Sequence, residues 1–296
     1  MATQLDTAPT VGPSGAPPVL DDRVTTIRPT TGRPRLDLRE LWHYRELLGI
    51  FVWRDLAVRY KQTIVGIAWA IFQPALIALV YATIFGRFGS FPSAGVYYPV
   101  FVFGGLLPML YFNSALSVGS SSLVANVNLV TKVYFPRLLL PLGALVTPIV
   151  DFFLGLTVLV VFMLVTGELP ANVWDALLAP VWLLLAFAAV LGPVLLLSAI
   201  NVRYRDVPYA IPVFLLVMPF LSGVVFAITD ATPERWQRLL YLNPMTTAVA
   251  GWRWSLFGTP LPSLYHASLG LGVTFVLLVA GFLYFRRAEP KFADQI

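Results

Sequence analysis

The 296-residue sequence contains no cysteine, two histidines and three lysines. Without cysteine, the chain has no disulfide scaffold and no thiolate chemistry. The histidines, His43 and His266, fall on opposite sides of the predicted membrane spans, so they cannot share one metal, and we expect no metal site. Each of the three lysines lacks the glycine-rich lead of a phosphate-binding loop. The chain is therefore not expected to bind ATP in the Walker manner.

Charge is also scarce, since 12% of the residues are charged while 58% are apolar. A soluble domain usually has about twice that charged fraction. The mean hydropathy of +0.77 indicates more apolar surface than one water-soluble core can hide. The composition excludes a soluble enzyme and predicts an all-α integral membrane protein.

Six stretches are long enough to cross a hydrocarbon core of about 30 Å, which takes about 20 helical residues. They lie near 64–86, 98–120, 138–165, 176–200, 207–228 and 266–285. An even number of spans puts both termini on one side. The basic residues near the spans number ten on that side and four on the other, so the positive-inside rule places both termini in the cytoplasm. The ten are Arg54, Arg59, Lys61, Lys132, Arg137, Arg203, Arg205, Arg286, Arg287 and Lys291, and the four are Arg87, Arg235, Arg238 and Arg253.

Three further segments are not simple spans. Residues 1–40 are rich in proline and threonine, lack the apolar stretch of a signal peptide, and are expected to form a flexible cytoplasmic tail. In 41–62 the apolar stripe changes phase near Gly49 to Trp53, which predicts an interfacial amphipathic helix with a bend. The alternative is an ordinary charged lead-in to a span. Residues 229–265 are too apolar for a solvated loop and predict two short re-entrant helices, with a plain loop as the alternative.

Asp151 is the one acidic residue deep in a predicted span. The apolar residues of 138–165 outweigh the insertion cost of one carboxylate, which is about 2.5–3.5 kcal/mol. Three roles stay open: a buried hydrogen-bonded structural role, a contribution to channel polarity, and proton coupling. Proton coupling would need further ionisable groups along a path, and the central parts of the spans contain none.

Five segments in order resemble a known family. They are RDLAVRYKQTIVGIAWAIFQP (54–74), NVNLVTKVYFPRLLLP (126–141), RYRDV (203–207), LNPM (242–245) followed by GWRW (251–254), and FRRAEPKFADQI (285–296). Together they resemble the permease subunit of ABC-2-type polysaccharide exporters, which carry lipid-linked O-antigen, capsule or teichoic acid across the bacterial cytoplasmic membrane. The resemblance covers about residues 40 to 296. It implies a permease domain over 41–290 and a short cytoplasmic tail over 286–296.

The resemblance implies a transport subunit rather than an enzyme: a homodimer in the inner membrane, joined to two copies of a separate ATPase that binds ATP and magnesium. This chain would then bind no cofactor and no nucleic acid. Residues of two cytoplasmic turns would contact the ATPase, namely Asn126, Asn128, Lys132, Arg203, Arg205 and Asp206. Re-entrant helices between spans five and six would form an outer gate containing Asn243, Pro244 and Arg253.

The same resemblance suggests how a polyprenyl-linked glycan would be handled. Arg54, Arg59 and Lys61 could receive the anionic headgroup, beside Asp55 and Tyr60 in the interface, although positive-inside anchoring explains these cations equally simply. We also expect Asp55 to pair with Arg59 at i,i+4. Channel candidates that could contact the passing sugars, unless they are lipid-facing, are Trp69, Phe72, Tyr81, Tyr111, Phe112, Asp151 and Phe220.

The sequence therefore predicts an ATP-driven exporter of lipid-linked polysaccharide such as O-antigen. An ABC-2 exporter of a small molecule or lipid is the nearest alternative. An ion-coupled flippase would need several ionisable groups within the spans, and a membrane enzyme would need a carboxylate or histidine cluster in a loop.

Overall fold

The computed structural model describes residues 42–61, 67–87, 91–170, 172–229 and 231–295, so the predicted tail 1–40 lies outside the described residues. Every regular element within these ranges is helical, which confirms the all-α prediction. A π-helix, Ala82–Arg87, continues α2, and a 3-10 turn, Glu289–Lys291, joins α11 to α12. The α-helices are α1 (Arg45–Lys61), α2 (Ile67–Tyr81), α3 (Tyr98–Ala125), α4 (Val127–Lys132), α5 (Leu139–Thr166), α6 (Val173–Ala176), α7 (Ala179–Arg203), α8 (Val207–Leu221), α9 (Glu234–Tyr241), α10 (Pro244–Phe257), α11 (Leu264–Ala288) and α12 (Phe292–Gln295).

Four helical stretches are long and apolar enough to cross a membrane. They are α3, α5, the stretch from α6 through α7, and α11 with the turn that follows it. These four correspond to the spans predicted near 98–120, 138–165, 176–200 and 266–285. Their number and hydropathy support an integral membrane protein that crosses the bilayer several times.

The helix α8 is shorter than the span predicted near 207–228, whereas α2 and the π-helix that continues it together cover 67–87. The α-helices α2 and α8 each have 15 residues, or about 22 Å at 1.5 Å per residue. In α8 the helix ends before Ser222 and Gly223, whose φ of +64° is a left-handed conformation typical of glycine at a helix end. Residues 222–229, at the end of the span predicted near 207–228, therefore form an irregular segment and do not continue α8.

The most deeply buried helix is α3. In its most apolar stretch 78% of the residues are buried, against 22% in α5 and in α11. It contacts α2, α5, α7, α8 and α10. Next to it, α7 and α11 approach closely, because a Cβ placed on Gly281 would lie 2.2 Å from the Gly192 carbonyl oxygen. Small residues at such a crossing permit the close backbone contact that membrane helices use for association.

The bundle has two ends, each with its own contacts. At the basic end, α1, α4, α7, α11 and α12 share one buried cluster that includes Phe51, Val130, Val202, Phe285 and Phe292. The turns that carry most of the basic residues lie at this end. At the opposite end the connecting segments bond to each other, since Ala227 N donates to Pro92 O at 2.8 Å and Tyr97 N donates to Glu168 Oε1 at 2.8 Å.

The helix α1 runs without interruption through Gly49–Trp53, where the sequence predicted a bend. One side packs on α5, where a Cβ on Gly143 would lie 3.5 Å from Leu48 and 3.6 Å from Phe51. The other side exposes Ile50, Trp53 and Val58. In the segment 229–265 the chain forms the two short helices α9 and α10.

Candidate transport site

Asp151 of α5 contacts two side chains of α1. Its Oδ2 lies 2.5 Å from Arg59 Nη2, and its Oδ1 accepts a hydrogen bond from the Tyr60 hydroxyl. The Asp151 side chain is 20% exposed and the Arg59 side chain 40%, so the ion pair is partly shielded from solvent. Asp151 lies in α5, and the positive charge that pairs with it comes from a different helix, α1. This pairing lowers the cost of placing a carboxylate within an apolar helix.

Tyr60 is held as a hydrogen-bond donor in this cluster. Burial, and next the hydrogen bond to Asp151, raise the pKa of its hydroxyl above the ordinary tyrosine value. An ordinary tyrosine hydroxyl is already protonated at neutral pH, and the raised pKa extends this donor form to more alkaline pH. With the packing of Leu48 and Phe51 on Gly143, the Arg59, Tyr60 and Asp151 contacts attach α1 to α5 along most of its length.

The other charges of α1 are arranged differently from the prediction. Arg54 donates to Asp55 Oδ1 from Nε at 2.9 Å and from Nη2 at 2.8 Å, so Asp55 pairs with its neighbour and not with Arg59. Lys61 is exposed and makes no ion pair within the described part of the chain. Of the three cations predicted to receive a headgroup, Arg54 and Arg59 thus each contact a carboxylate, whereas Lys61 does not.

The two turns predicted to contact an ATPase lie at the basic end. Asn126 separates α3 from α4, and its side-chain Nδ2 donates to Ser122 O at 2.8 Å. Asn128 and Lys132 are exposed on α4. At the second turn, the last residue of α7, Arg203, is exposed, and so are Arg205 and Asp206 between α7 and α8.

A buried link between these turns was missed by the sequence analysis. Asn201 of α7 is 1% exposed, and its Nδ2 donates to Ser120 O of α3 at 3.1 Å. This bond fixes the ends of α3 and α7, from which the two turns emerge. An asparagine two residues before the RYRDV segment was the available signal, because buried amides in membrane helices usually bond to a neighbouring helix.

Asn243, a predicted gate residue, joins α10 to the end of α8. Its Oδ1 accepts from Met245 N at 3.0 Å, which caps α10, and Pro244 is the first residue of that helix. Its Nδ2 donates to Ser222 Oγ at 2.9 Å and to Leu221 O at 3.3 Å. One side chain therefore starts α10 and holds the point at which α8 ends.

Arg253 is another predicted gate residue. Its side chain is buried, with 3% exposed, at the end of the bundle opposite to the basic end. Its Nε donates to Phe101 O at 3.0 Å and its Nη1 to Gly223 O at 2.7 Å, while Nη2 donates to Val224 O. Its guanidinium also lies over the Phe101 ring, 3.6 Å from the centroid. No acidic side chain of the described residues forms an ion pair with it.

These bonds account for the irregular segment 222–229 inside a membrane protein. Non-helical backbone away from water must have its carbonyls satisfied by protein groups. Arg253 supplies donors to two of them, and the Tyr98 hydroxyl donates to Val225 O at 2.7 Å. Arg253 is thus a clamp that holds this segment between α3 and α10.

The aromatic channel candidates fall into two groups. On the surface, Trp69 and Phe72 of α2 are 58% and 52% exposed, and Tyr81 meets Phe220 of α8 edge to face at 6.3 Å. In the interior, the Tyr111 hydroxyl donates to Leu145 O at 3.4 Å, and Phe112 is buried beside it in α3. Because some of these rings are exposed and others are buried, they do not line one path together with Asp151 within a single copy of the chain.

The comparisons with known proteins follow the same elements. Residues 46–257, from α1 to the end of α10, match the family described as ABC-2 type transporter. The chain belongs to this family. That finding confirms the resemblance carried by the five sequence segments.

This ABC-2 chain is similar to curated proteins over most of its length. It is 31% identical to the O-antigen export system permease protein RfbA of Myxococcus xanthus, over 88% of this chain and 98% of that protein. It is 28% identical to RfbA of Klebsiella pneumoniae, over 84% and 94%. It is 25% identical to the capsule polysaccharide export inner-membrane protein CtrC of Neisseria meningitidis, over 82% and 91%. The match to the M. xanthus protein leaves only about an eighth of the ABC-2 chain unmatched.

Proposed function

We propose that the chain is the membrane-spanning permease subunit of an ATP-driven exporter. Its cargo is a lipid-linked polysaccharide, O-antigen or a similar cell-surface glycan, which moves from the cytoplasm across the inner membrane. The observation that carries the proposal is the similarity to an O-antigen export permease over 98% of that protein's length. The chain is a transport subunit and not an enzyme.

ATP hydrolysis comes from a separate subunit in this proposal. The sequence has no phosphate-binding loop, so ATP and magnesium are bound by a partner ATPase, present in two copies. The exposed residues of α4 and of the 203–206 turn form its docking surface. The buried Asn201 to Ser120 bond joins the helices behind that surface, so a push on either turn reaches both α3 and α7.

The proposed topology has six spans with both termini in the cytoplasm. The helix α2, extended by its six-residue π-helix, supplies the first span, and the shorter helix α8 supplies the fifth. The helices α9 and α10 re-enter from the outer side and form the gate, and α1 lies in the cytoplasmic interface. The excess of basic residues at one end supports this orientation.

Two copies of the chain form the transport path in this proposal. The exposed face of α2 and α8 carries Trp69, Phe72 and Phe220, and aromatic rings of this kind stack on sugar rings. A path between two such faces would be lined by aromatics without requiring a pore through either bundle. Tyr111 and Phe112 then support α3 from within and do not contact the glycan.

The anionic headgroup of the lipid carrier meets Lys61 first, because Arg54 and Arg59 already contact carboxylates. We expect Lys61→Glu to lower export of lipid-linked glycan by about tenfold, as expected when one charged hydrogen bond of about 1.5 kcal/mol is lost. The matched control is Arg45→Glu, the same charge change at the exposed start of α1. Equal losses in the two variants would contradict a headgroup role and indicate general anchoring by positive charge.

The proposed function is tested by purification from native membranes followed by reconstitution. We expect the chain to co-purify with an ATPase in a one-to-one ratio and the complex to export lipid-linked glycan only with ATP. Deletion of the gene should leave glycan stranded in the cytoplasm on its lipid carrier, whereas a small-molecule exporter would leave none. Export by the purified chain alone under a proton gradient would refute the proposal in favour of an ion-coupled flippase.

A further inference from the structure

The last residues of the chain fold back onto the basic end of the bundle. After α11 the backbone turns through Glu289–Lys291 and forms α12. We call the segment 289–295 the hook. Its Phe292 is 1% exposed, and the phenyl ring meets Phe285 edge to face at 5.3 Å. The sequence predicted a short cytoplasmic tail over 286–296, and the hook within it is packed against the bundle.

Polar contacts fix the start of the hook. Arg286 Nη1 lies 2.9 Å from Glu289 Oε2, and the two side chains are only 15% and 17% exposed. Arg137, which lies in the connection from α4 to α5, donates to Glu289 O. The hook is thus bonded both to its own helix and to the segment that follows α4.

The apolar side of the hook packs against α4 and α7. Phe292 belongs to one buried cluster with Val130 of α4 and Val202 of α7. The helix α4 has only six residues, and so short a helix takes its position from tertiary contacts rather than from its own stability. Val130 is its one buried residue, so the hook forms part of the surface that positions α4.

We propose that the hook is a positioning element that ties α4 to α11, so that movement of the ATPase-docking surface is passed to the last span. This inference rests on the proposed function, in which α4 contacts the ATPase. In it, Phe292 contacts neither ATP nor glycan. It acts by keeping α4, α7 and α11 in one rigid unit while the ATPase opens and closes.

The test compares export with ATP hydrolysis in the reconstituted complex. We expect Phe292→Ala to keep ATPase binding and hydrolysis but to lower the amount of glycan exported per ATP by at least about fivefold, the lower end of typical couplings between sites. Phe292→Leu should restore most of the ratio, because it refills the cluster. The matched control is Phe275→Ala, which removes an exposed phenyl ring from α11 and should change nothing.

A purely structural role would give a different result. In that case Phe292→Ala would lower the unfolding temperature and reduce hydrolysis and export in parallel, with an unchanged ratio, and the inference would be overturned. If the wild-type complex shows no ATP-dependent export, the proposed function itself fails. If the wild-type complex is active and Phe292→Ala exports a normal amount of glycan per ATP, the coupling role of the hook is refuted and the proposed function is not.

A second measurement uses the absence of cysteine from the chain. Val130 of α4, which is 2% exposed in the cluster with Phe292, is replaced by cysteine so that the phenyl ring of the hook stays in place. The thiol of Val130→Cys should react slowly with a water-soluble maleimide, both at rest and during ATP turnover, because the hook stays packed on α4. Tyr134→Cys, at a residue that is 71% exposed at the same end, supplies the fast reference. Labelling of position 130 that accelerates to the reference rate during turnover would show that the hook detaches, and would contradict the inference.

Discussion

Replacing Arg253 with methionine is expected to abolish export and to lower the unfolding temperature of the protein more than any exposed substitution. Three carbonyl oxygens, of Phe101, Gly223 and Val224, lose their donors. Each buried group left without a partner costs about 1–3 kcal/mol, and the costs are not additive. We expect a total loss of about 3–5 kcal/mol, comparable to breaking a buried charged network. Thermal unfolding in detergent and export assays measure both effects.

Two further variants separate geometry from charge. Arg253→Lys keeps the positive charge, but one ammonium group cannot reach three carbonyls that a planar guanidinium contacts together, so we expect little rescue. Arg238→Met removes an exposed arginine of α9 that pairs with Glu234 across one helical turn. Solvent screens exposed pairs of this kind, so export and unfolding temperature should stay near wild type. Full activity of Arg253→Lys would show that charge alone matters and would contradict the clamp.

The clamp also shows where sequence reasoning stops. The GWRW segment marked Arg253 as a gate residue through the family resemblance, but its partners are backbone carbonyls, and no side chain in the sequence identifies them. The irregular segment was missed for a related reason: hydropathy counts Val224 and Val225 as ordinary residues of a span. The Ser222 and Gly223 pair was the only local signal that α8 ends there.

For the four long spans, the sequence located the helices but not the sides on which they contact each other. Hydropathy located α3, α5, α7 and α11 well, because a span must be apolar along its whole length. A helix that is apolar all round has no polar face, so the sequence cannot tell which side meets lipid and which meets protein. Trp69 and Tyr111 were therefore grouped as channel candidates, although one is 58% exposed and the other is buried.

For the Asp151 cluster, the sequence identified the residues but not the contacts between them. The sequence identified the carboxylate, and it identified Arg59 and Tyr60 as part of an amphipathic helix, but nothing in it joined positions 91 residues apart. The family resemblance placed Arg59 at the headgroup surface. The structure also gives Arg59 a carboxylate partner within the protein, and the variants described next test which role Asp151 has.

Asp151→Ala is expected to release the end of α1 from α5 and to reduce export strongly, because it leaves Arg59 without its partner and removes the acceptor of the Tyr60 hydroxyl. Hydrogen bonds to charged groups contribute about 1.5–3 kcal/mol each. Since the two side chains are partly exposed, solvent screening should bring the total towards the lower part of that range. A double-mutant cycle of Arg59→Ala and Asp151→Ala, measured by thermal unfolding, gives the coupling directly.

Asp151→Asn distinguishes anchoring from proton coupling. The amide oxygen still accepts from Tyr60 but no longer pairs with the charge of Arg59, so an anchor should retain part of its export activity. The exchange of Arg59→Asp together with Asp151→Arg should recover more activity than either single change, because the opposite charges meet again. A proton relay predicts the reverse: Asp151→Asn would assemble normally with the ATPase yet export nothing, and the exchange would not help. That result would overturn the anchoring role, since an anchor is defined by a contact and not by a titrating proton.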